Sequence, residues 1–251
     1  MTDMIKSLTA LIVSAISVHL AYIGFVRPQA DLIMQAAKQT GQSAPRDILV
    51  IMKDYEQEIC IILMMWAAYL ILSKCIAILK DRYLFSVDLL DQSEQSGADL
   101  QAALTNLESL PVETKSTPLV VTLMASVRRY LITSDVQNTS DAIESSIEAM
   151  AIRQDAGNSM IRYLIWAIPS IGFIGTVRGI GGALAQADQA LAGDIGGMTN
   201  SLGLAFNSTF VALLISIVLM FMLHQLLRLQ DDLVVDTQDY CEKFLLKRIS
   251  E

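Results

Sequence analysis

Two hydroxyls set in apolar surroundings are the side chains of this sequence best suited to chemistry. Thr176 lies in Ile168-Pro169-Ser170-Ile171-Gly172-Phe173-Ile174-Gly175-Thr176-Val177-Arg178-Gly179-Ile180, and Thr209 lies in Gly203-Leu204-Ala205-Phe206-Asn207-Ser208-Thr209-Phe210-Val211-Ala212. A hydroxyl surrounded by hydrocarbon can hold a cation on its oxygen or donate to a carboxylate. Around Thr176, Gly172, Gly175, Gly179 and Gly182 recur at steps of three and four, which leaves one helix face nearly free of side chains. A face of this kind lets another helix approach closely in a membrane. Ala205, Thr209, Ala212 and Ser216 form a second small stripe, with Ser208 beside it and bulky Leu214, Ile217 and Phe221 opposite. Pro169 removes its own donor and crowds the carbonyl of Ile165, which bends the helix below Thr176. Neither stretch carries a carboxylate in its apolar part. Proton relays ordinarily use Asp, Glu or His, so these hydroxyls can line an ion path but not complete one.

Each of these residues also has a plainer reading. Membrane threonines often bond back to carbonyls of their own helix, the glycines can serve packing alone, and Pro169 can be a simple kink. Arg178 is two positions from Thr176, about 200° around a helix, and so off the threonine stripe. A charge at this depth costs at least ~2.5 kcal/mol unless paired or wetted. It is expected to reach Asp188, Asp194 or the acids before the second apolar stretch. These three residues, Arg178, Asp188 and Asp194, are candidates for gating or for contact between subunits. His19 and His224 have no acid within sequence reach. Cys60, Cys75 and Cys241 have no metal-binding spacing and read as structural, and no cofactor is expected.

What must position the hydroxyls is a set of membrane helices. Apolar residues make up 53% of the 251, with mean hydropathy +0.47, high for a chain that must present a water-facing surface. The formal charge of −8, with no basic stripe, argues against nucleic acid as a partner. Four stretches reach the roughly 20 residues a helix needs to span hydrocarbon. They predict spans over 1–28, 59–79, 161–187 and 201–227, joined by a loop 29–58, a helical segment 80–160 and a short loop 188–200, with a tail 228–251. Arg27-Pro28 follows no small-x-small cleavage site, so the first stretch is a membrane helix rather than a signal peptide. Lys74, in the second, is expected to snorkel.

Lysine and arginine collect in 80–160 (Lys80, Arg82, Lys115, Arg128, Arg129, Arg153) and in the tail, whereas Asp188 and Asp194 are the only charges of the short loop. The positive-inside rule then makes both termini and 80–160 cytoplasmic and the loops 29–58 and 188–200 periplasmic. In the cytoplasmic part, one helix is predicted over Ser86–Leu110. A second opens at Thr117-Pro118 and ends near Ser134. Asp141 and Glu144 look like a capping box for a third, which continues past a weak point at Gly157-Asn158 into the third span. Thr199 or Asn200 is expected to cap the fourth. No separate globular domain is expected, and no stretch within one subunit is expected to cover the glycine face.

The stretch Pro169–Ile180 resembles the P-x-x-G-[LM]-[LFI]-G-T-V-x-G-[IL] signature of the MotA/TolQ/ExbB proton-channel family. Leu202–Ser216 is similar to that family's A-L-x-x-T-x-x-G-L segment, with Thr209 at its threonine. The likeness covers roughly residues 141–245; Arg178 and Ala212 depart from it, standing for a neutral or aromatic residue and for glycine. The resemblance implies an all-α integral membrane protein with four transmembrane helices and a helical cytoplasmic extension, assembled as a homopentameric ring in the bacterial inner membrane. It implies a partner in two copies, a MotB/TolR/ExbD-like single-span subunit bearing a membrane aspartate. Thr176 and Thr209 would face that aspartate as protons or sodium ions pass. Pro169, Gly172, Gly175, Gly179, Ala205, Ser208, Ala212 and Ser216 would form the packing face toward the partner.

Two other classes were weighed. An enzyme would need a cluster of acids, a His–acid pair or a nucleophile motif, and the sequence offers none. A membrane scaffold or sensor without conduction fits the topology but requires neither the glycine face nor both threonines.

Overall fold

The computed structural model describes residues 2–39, 47–90 and 97–250, all of whose regular elements are helical. Residues 40–46 of the expected loop 29–58 and residues 91–96 of the expected Ser86–Leu110 helix lie outside the described residues. Among the described residues, four helical stretches are long and apolar enough to cross a membrane: Met4–Ala37, Tyr55–Ser86, Val136–Leu184 and Gly196–Ser250. The chain divides into two compact units. One comprises the segment up to Leu72 together with Met160–Leu223, and the other Ser73–Ser159 together with the segment from His224.

The first unit opens with α1 (Thr2–Ala21), passes through a π-turn at Tyr22–Val26 and continues as α2 (Arg27–Gln39). The sequence reading ended this helix at residue 28, and the structure corrects it. Pro28 has no N–H to give, and a π-turn moves the bonding register by one residue, with the Arg27 N–H on the Tyr22 carbonyl, so that the helix survives. A short α3 (Ile48–Met52), capped by Asp47 on the Leu49 N–H, leads through Asp54 into α4 (Tyr55–Asp81). Trp66 of α4 donates its indole N–H to the Ser7 carbonyl at 3.0 Å.

The second unit contains α5 (Gly97–Ser109), α6 (Val112–Lys115), α7 (Pro118–Thr133) and α8 (Val136–Gly157). Leu100, Leu104, Leu107, Leu119, Leu123, Val127 and Ile143 are buried in one core with Leu84, Tyr240 and Leu245. This core corrects the expectation that nothing here forms a unit of its own. Of the helix expected over Ser86–Leu110 the described part is α5, and residues 82–86 form a 3₁₀ turn. Thr117 does stand at the N-cap of α7, and Ser134 ends it in the left-handed conformation, φ 49°. Asp135, not Asp141, caps α8 by accepting the Gln137 N–H, and the helix breaks at Asn158, the weak point named above. Lys74 finds a partner rather than water: it donates to the Asn158 side-chain oxygen at 3.2 Å, and Asn158 donates to Gln230 at 2.7 Å.

The remaining helices are α9 (Ser159–Leu184), α10 (Ala187–Leu191) and α11 (Gly196–Cys241), followed by a π-turn and α12 (Lys247–Ser250). Asp194 accepts the Gly196 N–H, so α11 starts three to four residues before the expected caps. In the second unit Tyr240 of α11 donates to the Val87 carbonyl at 2.7 Å and accepts from the Leu89 N–H at 2.8 Å.

Candidate functional site

The glycine face of α9 lies against the small stripe of α11 in the same chain. A Cβ placed on Gly172 would stand 2.5 Å from the Ala212 Cβ, one on Gly175 would overlap Ser208, and one on Gly179 would stand 2.6 Å from the Ala205 nitrogen. Gly172, Gly175 and Gly179 thus meet Ala212, Ser208 and Ala205 in antiparallel order. This corrects the expectation that no part of one subunit covers the face. Side chains of this size let the two backbones touch, and dispersion between them replaces a hydrophobic drive that lipid does not supply.

Close approach brings the two threonines together. Their hydroxyls share a hydrogen bond. Thr176 also reaches the Ala205 carbonyl at 3.0 Å, and Thr209 the Gly172 carbonyl at 3.2 Å. Two hydroxyls own two protons and four lone pairs. With the protons directed at carbonyls or at each other, lone pairs remain to accept from a protonated carboxyl or to hold a cation. The plainer reading, bonding within one helix, accounts for little of this: the Thr176 contact with the Gly172 carbonyl is its longest, at 3.4 Å.

Pro169 and Ser216 form a second pairing. Pro169 leaves the Ile165 carbonyl without its helical donor, and Ser216 donates to that carbonyl from α11 at 3.1 Å. A freed carbonyl in a membrane helix must be satisfied by such a neighbour. α9 therefore runs through its proline as one helix.

Arg178 turns away from the short loop and donates to Glu56 of α4 at 2.7 Å; the Glu56 side chain is 9% exposed and that of Arg178 46%. Of the acids expected to meet Arg178, the structure selects one preceding the second span and does so within the chain. Asp188 and Asp194 are both exposed, at the start of α10 and before α11. Next to Glu56 lies a group that the sequence reading missed. Glu58, buried, accepts from Arg27 and from His19 Nδ1, the latter at 2.6 Å. Arg27 also lies 4.3 Å from the centre of the Tyr55 ring. Burial pushes the Asp54 carboxyl above its usual range, against the opposing pull of Lys53, Arg178 and Arg27. His19 and Glu58 are 39 positions apart, so local spacing gave no signal. The only cue was that an arginine within an apolar helix needs an acid.

These features define a class: a multi-pass helical membrane protein whose last two spans pack through glycine around a half-buried hydroxyl pair. Residues 116–239, just under half the chain, match the MotA/TolQ/ExbB proton channel family. No curated protein and no solved structure matches the chain. That family is one of proton channels, and it works with a single-span partner in a channel complex.

Proposed function

We propose that this chain is the pore-lining subunit of a proton-driven rotary motor in the bacterial inner membrane, five copies enclosing two copies of an aspartate-bearing single-span partner. Ion flow through the complex does mechanical work on a further component. In this reading both termini are cytoplasmic and the path runs past Thr176 and Thr209. What carries it is the hydroxyl pair itself, held between two spans that contain no carboxylate of their own, within the family's domain. The partner aspartate binds a proton, moves past the pair and releases it. The hydroxyls donate to the carboxylate and accept from the carboxyl, so that neither state is left unsolvated. Five against two cannot match in symmetry, so each passage moves the mismatch by a step and drives rotation.

The test is purification of the chain through a tag in mild detergent, followed by identification of what accompanies it. The expected companion is a small protein with one apolar span containing a single aspartate. A complex that holds only copies of this chain, with no proton flux after reconstitution, supports the scaffold reading instead.

A further inference from the structure

The apolar parts of α9 and α11 carry no acid, but the chain brings one to them from α4. Glu56 Cγ lies 3.2 Å from where a Gly175 Cβ would stand, at the point where Gly175 meets Ser208. Gly175 and Ser208 are the chain neighbours of Thr176 and Thr209, so the Glu56 stem passes one residue from the hydroxyl pair on both helices. A Cβ at residue 175 would press on this stem, which would have to give by a few tenths of an ångström. The carboxylate then bonds to Arg178, whose half-exposed guanidinium leaves the pair open on one side.

We propose that Glu56 is a proton-binding site of this chain's own beside the threonine pair, with Arg178 as its counter-ion. The inference rests on the ion-path reading above and adds a titrating group to it. A proton arriving from water at the Arg178 side forms an O–H bond on a Glu56 oxygen. The ion pair becomes a neutral hydrogen bond from the guanidinium, and the arginine keeps its charge. Release breaks that O–H bond as one forms on an acceptor carboxylate, and the Arg178–Glu56 pair closes again.

The charged groups around Glu56 are distributed to allow this. Arg178 faces it from α9, and Asp54 and Lys53 flank it in the turn before α4. Glu58, on the same helix, is already held by Arg27 and His19. From α11 the Ser208 side chain stands at the same would-be Gly175 Cβ, and its hydroxyl donates to the Leu204 carbonyl at 2.8 Å.

The test has two arms. In the first, infrared difference spectra of the full chain in lipid vesicles are taken across a pH series, following the carboxyl C=O band. A band lost in Glu56→Gln and retained in Glu56→Asp supports the proposal, as does its appearance at higher pH in Arg178→Gln, where the counter-ion is gone. Every carboxylate protonates in strong enough acid, so a Glu56 band that appears only below the ordinary glutamate range marks a purely structural salt bridge and overturns it. In the second, proton flux is read with a pH dye in vesicles holding the complex isolated through a tag on this chain. Glu56→Gln should lower flux at least tenfold while the complex stays assembled. Normal flux in Glu56→Gln, alongside lost flux in a Thr176→Val, Thr209→Val variant, overturns the Glu56 site and leaves the ion path standing. Normal flux in both overturns the path itself.

Discussion

The Ile165 carbonyl would stand unpaired in hydrocarbon without Ser216, which replaces the donor that Pro169 lacks. Interhelical hydrogen bonds in membranes average ~0.6 kcal/mol and reach about 1.7. An acceptor without a partner lies toward the upper end of that range. Ser216→Ala is therefore expected to lower the melting temperature of the solubilised chain by a few degrees, at about 2–4 °C per kcal/mol for this size. Unchanged melting would mean that the freed carbonyl finds another donor. The sequence showed both residues and the proline's defect, but placed Ser216 on the partner-facing stripe. The bond joins positions 51 apart in the chain, and only the antiparallel register of α9 on α11 creates it. Arg178 was legible in part, since its cost in lipid demanded an acid. Which acid depended on the entry path of α4, which no local pattern encodes.

At the scale of elements, the α9–α11 contact is set by where a side chain is missing. A Cβ on Gly179 would meet the Ala205 nitrogen and the Ser201 carbonyl, at 2.6 and 2.7 Å, and backbone atoms cannot yield as a flexible side chain does. Gly181, two positions on, has nothing within 4 Å of its would-be Cβ. Gly179→Ala is expected to force the helices apart and destabilise by about 1–3 kcal/mol. Gly181→Ala should be neutral or stabilise by up to ~1 kcal/mol through helix propensity. Thermal melting of the two variants side by side checks this, and a larger loss at 181 than at 179 would contradict the packing described. The glycine spacing was plain in the sequence, whereas its occupant was not: Ala205, Ser208 and Ala212 read equally well as a face for a foreign helix. Helix ends were less legible. Asp135 and Asp141 each precede residues able to start a helix, and it is the Gln137 N–H on the Asp135 carboxylate that marks the earlier start.

At the scale of the molecule, four apolar helices followed from composition, because lipid imposes it on the chain, and the helical pattern of 80–160 followed from periodicity. The core of the second unit was harder to see. Its residues come from 84 to 147 and again from 240 to 245, each segment too weakly apolar to announce a core alone. Beyond the unit, Phe173, Val177, Phe206, Phe210, Ile217 and Phe221 are exposed on α9 and α11 despite their size. In a bilayer such surfaces meet lipid or another copy. With the glycine face filled from within, these larger residues are the ones left to bind neighbouring copies in the proposed ring. Native mass spectrometry in mild detergent is expected to show five copies, and a stable monomer or dimer would contradict the ring.

The central claim is that the paired hydroxyls act on the ion, and the double variant Thr176→Val, Thr209→Val tests it most directly. Valine keeps nearly the volume of threonine, so α9 and α11 should remain packed. What is lost are two hydrogen bonds to a charged group, each worth roughly 1.5–3 kcal/mol. The membrane potential supplies about 2.3 kcal/mol per charge per 100 mV, too little to overcome a deficit of that size. Proton flux of the reconstituted complex, with assembly checked by gel filtration, is the measurement. The account predicts an intact complex whose flux is abolished; near-normal flux in an intact complex would show that the threonines only join two helices.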